Sequence, residues 1–303
     1  MSQDASTSTW LDRLDVRTDA LRNAYRVVTK TRRGQFGLYG LSVVLFLAVF
    51  GPLLAPYPPL QAQVRPNGAL VSLAGPSLAY PLGTTASGYD VLSQVLVGAR
   101  TVFVVGVITG VVSVGIGTTV GIVAGYFGGY VDDVLMRITD IAYGIPLLPF
   151  LIVALTILGR SIFAITLLIG LLYWRNSARV IRSSVLSLRD EEFIQKAKTV
   201  GASERRILYK QVLPNVLPLS LLYFAFAMGI GVLFASSIAF LGFGDPSRIS
   251  WGRMIFVAWT RAGTFKQPLW VIAPGAMLSV LIASVYFVGQ TYEEVANPEL
   301  GDH

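Results

Sequence analysis

Between Arg100 and Asp132 the sequence carries no charged side chain. That stretch exceeds the roughly 20 apolar residues a helix needs to span a bilayer. In lipid, only helices and closed barrels satisfy their own backbone polar groups. Barrel strands give short alternating segments, whereas the apolar runs here are long and unbroken, so the chain reads as an all-α polytopic membrane protein. A charged content of 14% and 30 glycines fit that class, glycine being commoner in membrane helices than in soluble ones. The absence of cysteine excludes disulfides, thiolate metal sites and cysteine nucleophiles. The single histidine, His303, is the last residue and serves no site, so no metal or cofactor is expected. The net charge of +7 sits beside the apolar segments; it reports topology, and no nucleic-acid partner is expected.

Residues 1–35 are polar and basic, with Trp10, Leu11, Leu14, Leu21, Ala24 and Val28 near helical spacing, and read as an amphipathic segment on the cytoplasmic surface. Residues 36–303 form the membrane domain, with six spans expected at 36–55, 102–126, 135–158, 161–178, 216–243 and 269–290. No convincing cleavage site follows the basic N-terminus, so the first span is an uncleaved anchor. Pro56-Tyr57-Pro58-Pro59 ends it, because proline cannot continue the hydrogen-bond ladder. A Gly/Pro/Ser-rich loop follows as far as Arg100. Gly106, Gly110, Gly117, Gly121 and Gly125 in the second span, and Gly275, Ser279 and Ala283 in the sixth, present small-residue faces for close helix packing. Gly128-Gly129-Tyr130-Val131-Asp132-Asp133 reads as a short turn, and Pro146 and Pro149 imply a kink in the third span.

Asp140 lies near the cytoplasmic end of that third span. It is a possible intramembrane polar site, although a residue so placed more often pairs with an arginine such as Arg137. The fourth apolar run, Ser161–Trp174, is short for a span, but Arg175 and Arg179 can snorkel beyond it. Six spans put both termini in the cytoplasm. Seven Lys/Arg before the first span, Arg137, and nine between Arg175 and Lys210 then give 17 inside, against 7 outside (Arg65, Arg100, Arg160, Arg248, Arg253, Arg261 and Lys266).

The longest charged interval after the N-terminus runs from Asp190 through Glu191, Glu192, Phe193, Gln195, Lys196 and Ala197 to Asn215. Its pattern predicts two short helices meeting at a bend. Phe193, Ala197 and Val200 share one helical face, Gly201 supplies the positive φ of a helix stop, and Ser203 is placed to cap the next helix. Such a knob between apolar segments suits a handle for another protein. The chain has no energy source of its own. No Gly-Lys dipeptide exists to make a P-loop, no histidine is placed for a Ser–His triad, and no internal repeat suggests an autonomous carrier.

From Gln195 to Pro214 the sequence resembles the EAA loop of binding-protein-dependent ABC importer permeases, a pattern of Glu-Ala-Ala, three residues, Gly, nine residues, Ile-x-Leu-Pro. Gln195-Lys196-Ala197 precedes Gly201 at the right interval, and Gln211-Val212-Leu213-Pro214 closes it. Glutamine replaces the leading glutamate, and lysine the first alanine. Leu53-Leu54-Ala55-Pro56-Tyr57, Pro81-Leu82-Gly83-Thr84, Gly98-Ala99-Arg100, Phe240-Leu241-Gly242-Phe243-Gly244, Ser250-Trp251-Gly252 and Asn297-Pro298 are similar to the dipeptide/oligopeptide/nickel group, in its second-permease (C-type) subunit. Thr85-Ala86-Ser87-Gly88-Tyr89 departs from that group, which usually carries an acid and an arginine around the glycine. The resemblance implies a type I importer bundle in the cell membrane with no catalysis of its own. It also implies two ATP-binding subunits, a homologous permease and an extracytoplasmic solute-binding protein as partners. Coupling would run through the loop 187–215, with Glu191, Glu192, Phe193, Gln195, Lys196, Ala197, Gly201, Ala202, Ser203 and Pro214 as its contact residues. The competing expectations are an ion-coupled secondary transporter using Asp140 and a membrane scaffold that moves no solute.

Overall fold

The computed structural model describes residue 29, residues 31–261 and residues 263–296. The amphipathic reading of 1–35 falls almost wholly outside the described residues, as do Asn297-Pro298 and His303. The described chain is helical, with only two isolated β-bridges, Val64 to Leu70 and Thr84 to Asp90. Its long helices are α1 (Arg32–Leu54), α2 (Val91–Phe127), α3 (Gly129–Gly144), α4 (Leu147–Leu158), α5 (Ile162–Arg189), α8 (Leu213–Ile238), α9 (Trp251–Thr260) and α11 (Leu269–Ala296). Three short ones, α6 (Glu192–Thr199), α7 (Glu204–Ile207) and α10 (Gly263–Lys266), lie between them. Among the described residues, four helical stretches are long and apolar enough to cross a bilayer, or five if the bent pair α3–α4 counts as one. α5, over which the fourth span was expected at 161–178, is not among them, because arginines occupy its second half.

α2 is the central post. At 1.5 Å per residue it is about 55 Å long, well beyond the ~30 Å hydrocarbon layer. It starts eleven residues earlier than the expected 102, because Asp90 caps it through Ser93 N at 2.8 Å. Its glycines let other backbones approach. A Cβ at Gly121 would stand 2.7 Å from the Ala178 carbonyl, and one at Gly125 2.8 Å from that of Arg182, so α5 lies directly on this stripe. On another side, Gly106 and Gly110 admit Met228 and Phe224 of α8. The small face expected on the last span is not used in this way. Gly275 has nothing within 4 Å; the contact is made from α1, whose Gly37 and Gly40 close on Ser284 of α11.

The expected third span is two helices bent by 83°. Ile145 is extended because the residue before a proline is driven out of the α region. Pro146 then serves as N-cap, and Pro149 sits in the first turn of α4, where no N–H is needed. The expected turn at 128–133 is also helical from Gly129 onward. Three buried clusters run along the bundle. The first joins α1, α2, α8, α9 and α11 around Trp251 and Leu281, the second seats α4 against α5, and the third packs the 190–216 region onto α2 and α5.

Candidate functional site

The chain leaves α5 at Arg189, turns at Asp190, and enters α6 with Glu191 as N-cap. Glu192 lies in the first turn and Lys196 and Lys198 in the last, the arrangement the helix dipole favours. Glu192 also pairs with Lys196 at 2.7 Å, an exposed i,i+4 contact worth a few tenths of a kcal/mol. Gln195 donates from Nε2 to the Arg189 carbonyl at 3.0 Å and so clips α6 to the end of α5. An ionised glutamate, which only accepts, could not make this bond.

α6 stops in a Schellman motif. The Ala202 N–H bonds the Ala197 carbonyl and the Gly201 N–H bonds that of Lys198, both at 3.0 Å, with Gly201 at φ +77°. Ser203 occupies the next N-cap position, but its side chain makes no capping bond; its carbonyl accepts from Ile207 N instead. α7 continues through a π-helical turn, Leu208–Val212, into α8. Pro214 accounts for that turn, since its ring has no N–H to return to the Lys210 carbonyl and crowds it, so the helix widens there. Counted with its π-turns, this helical stretch extends from Glu204 to Phe243, longer than the expected 216–243, with a kink at Gly242, whose φ is +87°.

The inward face of the knob differs from the expected one. Ile194 and Ala197 are buried, packed with Ile207 and Val212 against Ile122 and Tyr126 of α2 and Ile181 and Val185 of α5. Phe193 is 43% exposed and Val200 82%, so these two residues project from the outer side of α6. The i, i+4, i+7 count took in both and passed over Ile194, which the adjacent position would have supplied. Lys198 lies over the Tyr126 ring at 5.2 Å and secures the knob to α2.

α5 ties the knob to α3 through charge. Both arms of the Arg182 guanidinium donate to the carboxylate of Asp132. Arg179 bonds Asp140 at 2.7 Å and stacks over Tyr143. Arg175 donates to the Ala142 carbonyl at 2.9 Å, a last-turn acceptor of α3 that also accepts from the Ile145 N–H. Asp140 thus pairs with Arg179, not Arg137, and both partners are more than half exposed. Among the described residues no group of His, Cys, Asp or Glu is arranged to hold a metal. The sequence reading missed Arg182 and Asp132 as a pair, because fifty residues separate them.

The profile of the family described as "binding-protein-dependent transport system inner membrane component" matches residues 117–294, a range that includes the whole knob. The chain belongs to that family. It is 33% identical over 218 residues to an oligopeptide transport system permease protein of Haemophilus influenzae, covering 72% of this chain and 70% of that one. It is 30% identical over 278 residues to a putative peptide permease protein of Brucella suis, covering 91% and 90%. A dipeptide transport system permease protein of Alkalihalophilus pseudofirmus is 29% identical over 280 residues, covering 92% and 90%. The chain is therefore a multi-pass permease subunit of the peptide family of ABC importers, in which separate subunits hydrolyse ATP.

Proposed function

We propose that this chain forms half of a peptide translocation pathway and takes its power stroke through the Asp190–Asn215 knob. The observation that carries the reading is the knob's construction. Its inner face is fixed to α2 and α5 by a buried cluster, its bend is closed by a Schellman motif, and Phe193 and Val200 are left uncovered. A short amphipathic helix with exposed apolar anchors suits a hydrophobic groove on a partner. On this reading α5 is the fourth of six spans, both termini are cytoplasmic, and the knob lies on the side where ATP is. Two ATP-binding subunits each seat one such helix, one from this chain and one from a homologous permease. Their closure on ATP moves α6. Because Gln195, Arg179 and Arg182 link α6, α5 and α3, the displacement reaches the 83° bend. A solute-binding protein delivers peptide on the opposite side, where the relatives named for peptide transport supply the substrate class.

The test is reconstitution. Proteoliposomes holding this chain, its paired permease and the ATP-binding subunits take up peptide with ATP and binding protein, and uptake stops when ATP is withheld. Gradient-driven uptake by this chain alone would sink the reading. That alternative would use Asp140, but an exposed carboxylate already paired with Arg179 is poorly suited to carry an ion through the bilayer.

A further inference from the structure

At the end of the bundle away from the knob, the segments 56–100, 159–161 and 244–268 carry seven Lys/Arg and only two acids, Asp90 and Asp245. Both acids are already engaged. Asp90 is wholly buried at the start of α2 and accepts from Ser93. Asp245 accepts from the N–H groups of Ile162 and Ser247 and from the Ser247 hydroxyl. None of the seven cations forms an ion pair among the described residues.

A cavity of about 370 Å³ opens in this region between the 85–94 segment, α9 and Trp270 of α11. Its size is at the lower end of small-molecule pockets, ~300–1,000 Å³. Arg253 and Arg261 line it, and no carboxylate does. Arg253 spends one N–H on the Arg248 carbonyl at 3.4 Å, which leaves most of its donors without a partner among the described residues. Trp270 forms part of the wall while only 2% exposed, and its indole N–H has no hydrogen-bond partner among the described residues. Tyr89 and Ser250 add hydroxyls, and Met254 and Val257 supply apolar wall. Donors of a guanidinium fork match a carboxylate, and the apolar wall suits the organic remainder of the same molecule.

We infer that this cavity is a receiving site for the free carboxylate of a small organic acid, such as the C-terminus of a short peptide, held by Arg253 and Arg261. The inference rests on the importer reading, which would make the cavity the first station after the binding protein. Excess positive charge around it draws an anion in, and a modest pocket open to solvent, with Arg253 half-buried and Arg261 exposed, lets it go again.

The test uses the assembled complex with its ATP-binding subunits in phosphatidylcholine nanodiscs. A mixed tripeptide library is titrated as free acids and again as C-terminal amides, and binding is followed by tryptophan fluorescence and calorimetry. The expected result is saturable binding of the acids, at least tenfold weaker for the amides and in Arg253→Gln/Arg261→Gln. Trp270→Phe is expected to remove most of the fluorescence change. If the double variant fails to assemble, Ser87→Asp, which adds a competing carboxylate to the wall, must weaken acid binding instead. Equal binding of acids and amides overturns the proposal, as does a response to phosphatidylglycerol or to binding protein without peptide. Absence of acid binding in a wild-type complex that retains its ATP-binding subunits overturns this site alone. Loss of those subunits from the wild-type complex overturns the importer reading first.

Discussion

Gly201 holds φ +77° and, its chain neighbours aside, no atom of the described residues lies within 4 Å of where a Cβ would stand. Substitution there therefore tests backbone conformation and nothing else. Gly201→Val should cost about 1–2 kcal/mol, the penalty of forcing an L side chain into the left-handed region, while Gly201→Asn should keep most of the stability. The readouts are thermal unfolding in detergent and the amount of ATP-binding subunit that co-purifies. Gln195→Glu removes the donor to the Arg189 carbonyl and sets a negative charge at a helix C-terminus, a loss of about 0.5–1.5 kcal/mol. The Asp132–Arg182 pair is mostly buried, so Arg182→Gln should cost about 3 kcal/mol by leaving a carboxylate uncompensated. Adding Asp132→Asn should recover most of it, and a double-mutant cycle on unfolding temperature checks this. Gly201 was legible in the sequence because a helix stop has a local signature. The pair was not, because only the laying of α3 along α5 brings its members together.

Among the elements, α6 separates folding from assembly. Val200 is 82% exposed, so Val200→Asp should change stability by no more than about 0.5 kcal/mol. It should nevertheless sharply reduce the ATP-binding subunits recovered with the permease, a difference that pull-down and unfolding experiments read separately. The junction between α8 and α5 carries a pH dependence. Burial raises the Asp245 carboxyl, but hydrogen bonds from the Ser247 side chain, Ile162 N–H and Ser247 N–H, with Arg248 near, outweigh it and hold the group below its ordinary 3.8. A lowered carboxylate stabilises the fold above its unfolded value, and that stabilisation is lost as pH falls through the lowered one. Asp245→Asn should accordingly destabilise the protein at neutral pH and have no effect well below pH 3.8, as unfolding at the two pH values would show. Element type was readable from apolar run length. Element ends were less so, because charge marked the start of α2 at Val102 while the Asp90 cap and the packing of Gly98 on Trp251 carry the helix back to Val91.

For the whole molecule, hydropathy was sufficient to give the class of the protein, since a bilayer imposes the same length rule on any chain. The bend at Ile145–Pro146 and the orientation of the knob were not legible, because prolines announce a break without its angle and α6 is apolar on two sides. The central claim is that the side of α6 bearing Phe193 and Val200 meets an ATP-binding subunit. The chain has no cysteine, so a single Val200→Cys supplies a unique attachment point, and Val64→Cys, 60% exposed at the far end, supplies its control. A short bifunctional cross-linker applied to the assembled complex should join the ATP-binding subunit to the Val200→Cys chain and not to the Val64→Cys chain. An adduct from the control, or none from Val200→Cys in a complex that still contains the ATP-binding subunit, would contradict the account.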